Sequence, residues 1–286
     1  MRKFKTFSIN RQGELITYER PVIAGIINVT PDSFYSGSRV AGRDAIVRRV
    51  SEMINDGADW IDIGAYSSRP SADDVSPQEE LDRLAEGIKA VREAATDVIL
   101  SVDTFRAEVA RHAVTQLGAD IINDISGGDL DPDMADTVAC LNVPYILMHM
   151  RGTPATMSTL TDYNDVTADV LAEIAAKINR LALLGVNDII VDPGFGFAKT
   201  VSQNYRLLHD LELFHVFERP LLVGMSRKSM IYKPLGVEPA DALSGTVAAN
   251  TIALMKGASI LRVHDVKAAA DTIKTVSLTL NPQSGL

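Results

Sequence analysis

The sequence predicts a (β/α)8 barrel, the TIM-barrel architecture, preceded by a β-hairpin. Three observations carry this. First, an apolar run ending in a polar or glycine residue, a loop and a helix-period segment recur eight times between Pro21 and Val276. That alternation is the signature of a parallel β/α fold. Second, the centres of the runs are almost entirely apolar, as in strands buried on both faces. Third, the chain has 286 residues, close to the roughly 250 typical of such a barrel. A doubly wound open sheet is the competing arrangement, and eight near-regular units favour closure.

The elements follow in order. Phe4–Ile9 and Glu14–Tyr18 flank Asn10-Arg-Gln-Gly13 and read as a hairpin. Chain that precedes the first barrel strand starts at the bottom of the barrel, so the hairpin is expected to cap that end. The barrel strands are read at Val22–Asn28, Trp60–Gly64, Val98–Asp103, Asp120–Asp124, Pro144–His149, Asp188–Asp192, Pro220–Ser226 and Ser259–Val263. Ser76-Pro77-Gln78-Glu79 offers an N-cap, a proline in the first turn and a glutamate three residues on. Gly57, Gly118, Gly185 and Gly257 follow helical stretches and are expected just past helix ends. The whole chain, 1–286, reads as one domain, with residues 1–20 forming the hairpin segment.

Composition narrows the function. Acidic residues outnumber Lys plus Arg by 37 to 28, for a net charge of −9. A chain of that balance is not built to neutralise a phosphate backbone, which excludes nucleic acid as the main partner. No apolar run reaches the roughly 18 residues of a membrane span, and the N-terminus lacks a signal-peptide core. A cytoplasmic protein is expected. Cys140 is the single cysteine, so no intrachain disulfide forms. It is expected to be a small buried apolar side chain.

Chemistry concentrates at the strand ends, where barrels of this kind place their active sites. Asp103, Asn123, Asp192 and Lys228 converge there from different strands. Two carboxylates and an amide match a planar heterocycle with several N–H donors, and Lys228 can meet a ring carbonyl and offset the acidic charge. Acid–base catalysis or a metal site stay open as other uses of the carboxylates. A second, basic group comprises Arg69, Arg262 and His264, with Asn28. Arg262 and His264 lie two apart, on one face of the last strand. Barrels often bind phosphate around the seventh and eighth strands. Thr30–Arg39 and Ser67–Val75 are polar loops on this rim, suited to a second substrate.

These residues sit in motifs that resemble the dihydropteroate synthase family. The motifs are Gly25-Ile-Ile-Asn-Val-Thr-Pro-Asp-Ser-Phe34, Asp62-Ile-Gly with Ser67-Ser-Arg-Pro70, Ser101-Val-Asp-Thr104, Ile122-Asn-Asp-Ile-Ser126, Leu147-Met-His-Met150, Asp192-Pro-Gly-Phe-Gly-Phe197, Gly224-Met-Ser-Arg-Lys-Ser229 and Arg262-Val-His-Asp265. All eight occur in order, one per strand end. The resemblance implies a transferase of folate biosynthesis that joins 6-hydroxymethyl-7,8-dihydropterin diphosphate to 4-aminobenzoate and releases diphosphate. It implies that Asp103, Asn123, Met148, Asp192 and Lys228 hold the pterin. Asn28 is expected to ligate Mg²⁺, and Asn28, Arg69, Arg262 and His264 to bind diphosphate. Thr30, Pro31, Phe34, Ser68, Arg69, Pro70 and Ser229 are expected around the aminobenzoate. Asp103, Asp192, Lys228 and Arg262 are the expected catalytic set.

Some positions depart from the family pattern. Ser68 stands for a threonine, Ser71 for a glycine, Ala65-Tyr66 for Gly-Glu, and Ala198 for a glycine before Lys199. They bear on the fit of aminobenzoate and of sulfonamides, the family's inhibitors. Two alternatives are a pterin barrel of the methyltetrahydrofolate methyltransferase type, which needs no diphosphate site, and an inactive pterin-binding paralogue. The family also suggests a homodimer. Ala242–Met255, apolar and rich in small residues, permits close helix packing, against a partner or against the barrel itself.

Overall fold

The computed structural model describes residues 4–29, 39–66 and 75–282. An antiparallel hairpin, β1 (Phe7–Arg11) and β2 (Glu14–Tyr18), comes first. Eight parallel strands follow: β3 (Val22–Asn28), β4 (Trp60–Gly64), β5 (Ile99–Asp103), β6 (Ile121–Asp124), β7 (Tyr145–Met148), β8 (Ile189–Asp192), β9 (Leu222–Val223) and β10 (Ile260–Val263). They pair in the order β8-β7-β6-β5-β4-β3-β10-β9. A single bridge, Val191 to Leu221, joins the two ends and closes the barrel. The helices outside it are α1 (Arg39–Asn55), α2 (Pro77–Ala94), α3 (Ala107–Leu117), α4 (Met134–Leu141), α5 (Val166–Leu183), α6 (Val201–His209), α7 (Ser229–Leu235), α8 (Leu243–Met255) and α9 (Val266–Leu280).

Strand side chains alternate in direction, and the alternation sorts the sequence. Val22, Ala24, Trp60, Ile99, Ile121, Ile146, Ile190, Leu222 and Ile260 fill the barrel interior as one apolar cluster. The residues between them, such as Ile61, Leu100, Ile122 and Leu147, pack outward with the helices in a second, larger core. Two residues further along, on the inward parity, seven of the eight strands place Asp62, Ser101, Asn123, Met148, Asp192, Gly224 and Arg262, while β3 places Ile26. An apolar floor therefore carries a polar mouth.

The hairpin seals the floor. Ile9 joins the interior cluster, and Trp60 Nε1 donates to the Tyr18 hydroxyl at 2.7 Å. Arg11 pairs with the buried Asp120 at 3.0 Å, and the Asn10 N–H donates to Asp188 at 2.7 Å. The expected helix ends form. Ser76 Oγ accepts from the Glu79 N–H at 3.2 Å, and Gly57, Gly118, Gly185 and Gly257 all have positive φ. The Glu79 carboxylate turns instead to Arg83, one turn along.

Two expectations are corrected. Cys140 is exposed. It lies on the outer side of α4, whose inward stripe is Met134, Ala135, Thr137 and Val138. The seventh barrel strand is only Leu222–Val223, well short of Pro220–Ser226, because the chain leaves the sheet at Gly224. Among the described residues, no helix is long and apolar enough to cross a membrane.

Candidate active site

Arg262 is the hub of the mouth. Its Nε donates to Asp62 Oδ2 at 2.6 Å and its Nη2 to Asp103 Oδ2 at 2.7 Å. Asn123 Nδ2 reaches both oxygens of Asp62, at 3.2 and 3.3 Å. Four strands thus meet in one network of two carboxylates, one guanidinium and one amide. The Arg262 side chain is 17% exposed and that of Asp62 2%, while Asp103 keeps 22%. Asp103 is therefore the carboxylate a ligand can reach. Burial pushes its pKa up to about 7, against the opposing pull of Arg262.

Asp192 lies across the mouth on β8. One of its oxygens accepts the Gly194 N–H at 2.8 Å, and burial raises its pKa. Lys228 does not stand on a strand. It precedes α7 and reaches back across the mouth. Its ammonium donates to the Phe195 carbonyl at 2.6 Å and lies 4.6 Å from the centre of the Phe197 ring. Burial lowers the Lys228 pKa to about 8, with Asp192 opposing the drop. Met148, Ile125, Met150, Met157, Phe197 and Ala198 form an apolar cluster beside these groups. A flat, polar-edged ring fits such a cleft: an apolar wall takes its face, and acceptors and donors take its edge.

His264 ends the β10 segment. Its backbone N–H donates to Ser226 Oγ at 3.3 Å. Burial, and then the charge of Arg262, lower its pKa to about 4. It is a neutral donor and acceptor at pH 7, not a cation. The acidic and basic groups that the sequence suggested are therefore not separate, since Arg262 belongs to both. Asn28 lies exposed at the C-terminal end of β3, and Ser229 opens α7. Thr30, Pro31, Phe34, Ser68, Arg69, Pro70 and Ser71 lie outside the described residues.

Asp62 had not been singled out as a site residue from sequence. Its signal was present in Trp60-Ile-Asp-Ile-Gly64, where a carboxylate shares the inward parity of Trp60 inside an apolar strand. Two other polar strand ends turn away from the mouth. Asp124 binds Tyr145, Ser126 and the Gly128 N–H on the outward parity, and His149 faces Glu173 and Lys199.

A magnesium site was expected at Asn28. Among the described residues, no group of three or more His, Cys, Asp or Glu side chains could cage a metal. One exposed amide at the mouth does suit Mg²⁺, which keeps most of its waters and is commonly held by few protein ligands together with substrate phosphates. The residues present fit an ion that arrives with a phosphorylated substrate.

Comparison with known proteins agrees with this geometry. The family model described as pterin binding enzyme matches residues 24–264. Dihydropteroate synthase of Escherichia coli strain K12 is 43% identical over 272 residues, covering 94% of this chain and 95% of that protein. A structure of Xanthomonas albilineans dihydropteroate synthase with 4-aminobenzoic acid superposes with a TM-score of 0.88 at 37% identity, covering 96% of this chain and 98% of that one. The Yersinia pestis dihydropteroate synthase in a sulfonamide drug complex gives 0.88 at 40% identity, covering 96% and 99%. The chain belongs to the pterin-binding enzyme family, among the dihydropteroate synthases.

Proposed function

We propose that the protein condenses 6-hydroxymethyl-7,8-dihydropterin diphosphate with 4-aminobenzoate, yielding 7,8-dihydropteroate and diphosphate. The observation that carries this reading is the single network of Asp62, Asp103, Asn123 and Arg262 beside Asp192 and Lys228. It sets acceptors for ring N–H groups next to a cation that can turn to a leaving diphosphate. A methyl-transferring pterin barrel has no need of that cation.

The chemistry follows from the charges. The C–O bond between the pterin methylene and the diphosphate breaks, and the departing oxygen keeps the electron pair. The methylene cation is delocalised into the electron-rich dihydropterin. Asp103 and Asp192, fixed at the ring edge, stabilise that cation without reorganising. Arg262 and the neutral His264 receive the diphosphate. The aryl amine, uncharged at neutral pH, attacks the methylene carbon and then loses a proton to solvent or to diphosphate. Asn28 would hold Mg²⁺, which when bound neutralises part of the diphosphate charge.

The test is formation of dihydropteroate and diphosphate by the purified protein, with Mg²⁺ and after chelation. Equimolar products with Mg²⁺, and a loss of at least about tenfold on chelation, are expected. Pterin binding without turnover would make the chain an inactive paralogue.

We also infer a homodimer through α8. Its inner side packs on the barrel through Thr246, Ala249, Asn250, Ala253 and Leu254, and Gly245 fits against Ile231 and Leu235 of α7. Ile252, 45% exposed, points away from these core contacts, and Leu243, 39% exposed, lies at the flank of the helix. Sedimentation should give twice the chain mass, and Ile252→Glu should give monomers. A wild-type monomer at micromolar concentration contradicts this.

A further inference from the structure

His149 and Lys199 form a polar cluster beneath the mouth that the reaction does not use. Lys199 is buried, and its Nζ contacts three partners, each at 3.0 Å: His149 Nδ1, the Gly194 carbonyl and the Phe197 carbonyl. On the far side of the ring, His149 Nε2 lies 2.9 Å from Glu173 Oε2. Glu173 is held in turn by Arg151, whose guanidinium lies over the Tyr163 ring.

Donor arithmetic fixes the protons. A carboxylate only accepts, so His149 Nε2 must carry the hydrogen it shares with Glu173, and Nδ1 is left as an acceptor. The two carbonyls also only accept. All three Lys199 contacts then require N–H donors, which an ammonium supplies and a free amine does not; these contacts hold the proton on Lys199 against burial, which lowers its pKa to about 7. The hydrogen bond from His149, and then that from Arg151, hold Glu173 ionised, at a pKa of about 2, so the tautomer is set from the helix side. Burial, assisted by the charge of Lys199, lowers His149 to about 4 and keeps its ring neutral.

The loop that this cluster grips carries the pterin-site contacts. The carbonyls of Gly194 and Phe197 turn down to Lys199, while that of Phe195, between them, accepts from Lys228. A Cβ on Gly194 would sit 1.9 Å from the His149 carbonyl oxygen, and one on Gly196 would sit 3.0 Å from Lys228 Cδ. Ala198 takes φ +49°, a left-handed conformation that is unfavourable for a residue with a Cβ. A strained residue persists only where its surroundings over-determine it, and here the next residue is Lys199.

We propose that Lys199 is a positioning residue. Clasped by neutral His149, it draws the Gly194–Phe197 loop down so that the Phe195 carbonyl and the Phe197 ring fix the Lys228 ammonium at the pterin edge. This rests on the reading of the mouth as a pterin site.

The experiment compares wild type, Lys199→Met, His149→Leu and His149→Gln in the dihydropteroate assay, varying each substrate. The glutamine side chain can accept from Lys199 and donate to Glu173, so it preserves the clasp. Lys199→Met and His149→Leu should raise the KM for the pterin diphosphate at least about tenfold while the 4-aminobenzoate KM stays within about twofold, and His149→Gln should restore the pterin KM to within about threefold. A defect in folding alone would lower the active fraction and leave both KM values in place, which would overturn the proposal. So would a pterin KM unchanged in Lys199→Met. Should the variants not fold, nitrogen-15 spectra of the wild type decide. They should show His149 neutral and protonated at Nε2 near about pH 7, and a ring protonated at Nδ1 would sink the clasp. A wild type that forms no dihydropteroate refutes the functional reading instead, a result separate from any of these.

Discussion

Arg262→Ala is expected to abolish turnover and to destabilise the fold, with both losses arising from one set of contacts. The guanidinium is the only cation bonded to Asp62 and Asp103 among the described residues. Without it, the Asn123 amide, at 3.2 and 3.3 Å, is the one side-chain partner left to Asp62 among the described residues. Removing one partner of a buried ion pair leaves a charge in low dielectric, at a cost of about 3–5 kcal/mol. The loss should depend on pH. Arg262 opposes the raised pKa of Asp103, so in the variant that pKa rises further. A neutral Asp103 does not suffer from the missing cation, so the destabilisation should grow as pH rises from about 5 to about 8. Urea unfolding of both proteins at several pH values measures this. The kcat/KM for the pterin diphosphate should fall at least about 10³-fold, equivalent to about 4 kcal/mol. A variant with wild-type stability at pH 8 would show that the network is not what the geometry describes.

Asp103→Asn should be stable and slow. Asparagine keeps the size and one acceptor, and it can still meet a ring N–H, but it cannot balance a cationic pterin. A loss of about 10²-fold in kcat, about 2.7 kcal/mol, is expected for removing one preorganised electrostatic contact, with diphosphate affinity changed far less. The pH profile gives a second readout. Asp103 must be ionised, at a pKa of about 7, and Lys228 must keep its proton, at a pKa of about 8. The wild-type kcat/KM should then rise with pH through the first value and fall through the second. Asp103→Asn should lose the acidic limb and retain the alkaline one.

The asparagine variant also tests linkage. The folded-state pKa of Asp103 is raised from 3.8 to about 7, so the native state holds a proton that the unfolded chain releases at lower pH. Its contribution is therefore favourable below about pH 4 and is lost between about pH 4 and 7. Asp103→Asn should flatten the stability curve over that window.

The barrel and most of its mouth were legible from local patterns. Apolar runs placed seven of the eight barrel strands to within a residue or two, and a polar residue at the end of such a run flagged Asp103, Asn123 and Asp192. The seventh strand was overrun because Gly224-Met-Ser stays apolar enough to read as sheet, although the chain has already left it. Partnerships were not legible. Arg262 meets Asp62 and Asp103 across 200 and 159 residues of sequence, and only barrel closure, which pairs the last strand with the first, brings it within reach of the second and third. Lys228 finds the Phe195 carbonyl through a loop whose course depends on Lys199. Asp62 gives no signal at a strand end, because it lies one inward step below, inside the run Trp60–Gly64. The exposure of Cys140 depends on which side of α4 faces the barrel, and Ala139-Cys-Leu141 does not reveal that.

The central claim is that this mouth is a pterin site, and a crystal structure with 6-hydroxymethylpterin bound tests it most directly. The ring should lie against Met148, its N–H edge toward Asp103, Asn123 and Asp192, and Lys228 on its carbonyl side. A pterin seated anywhere else, or an Asp103 with no ligand atom in contact, would contradict the account.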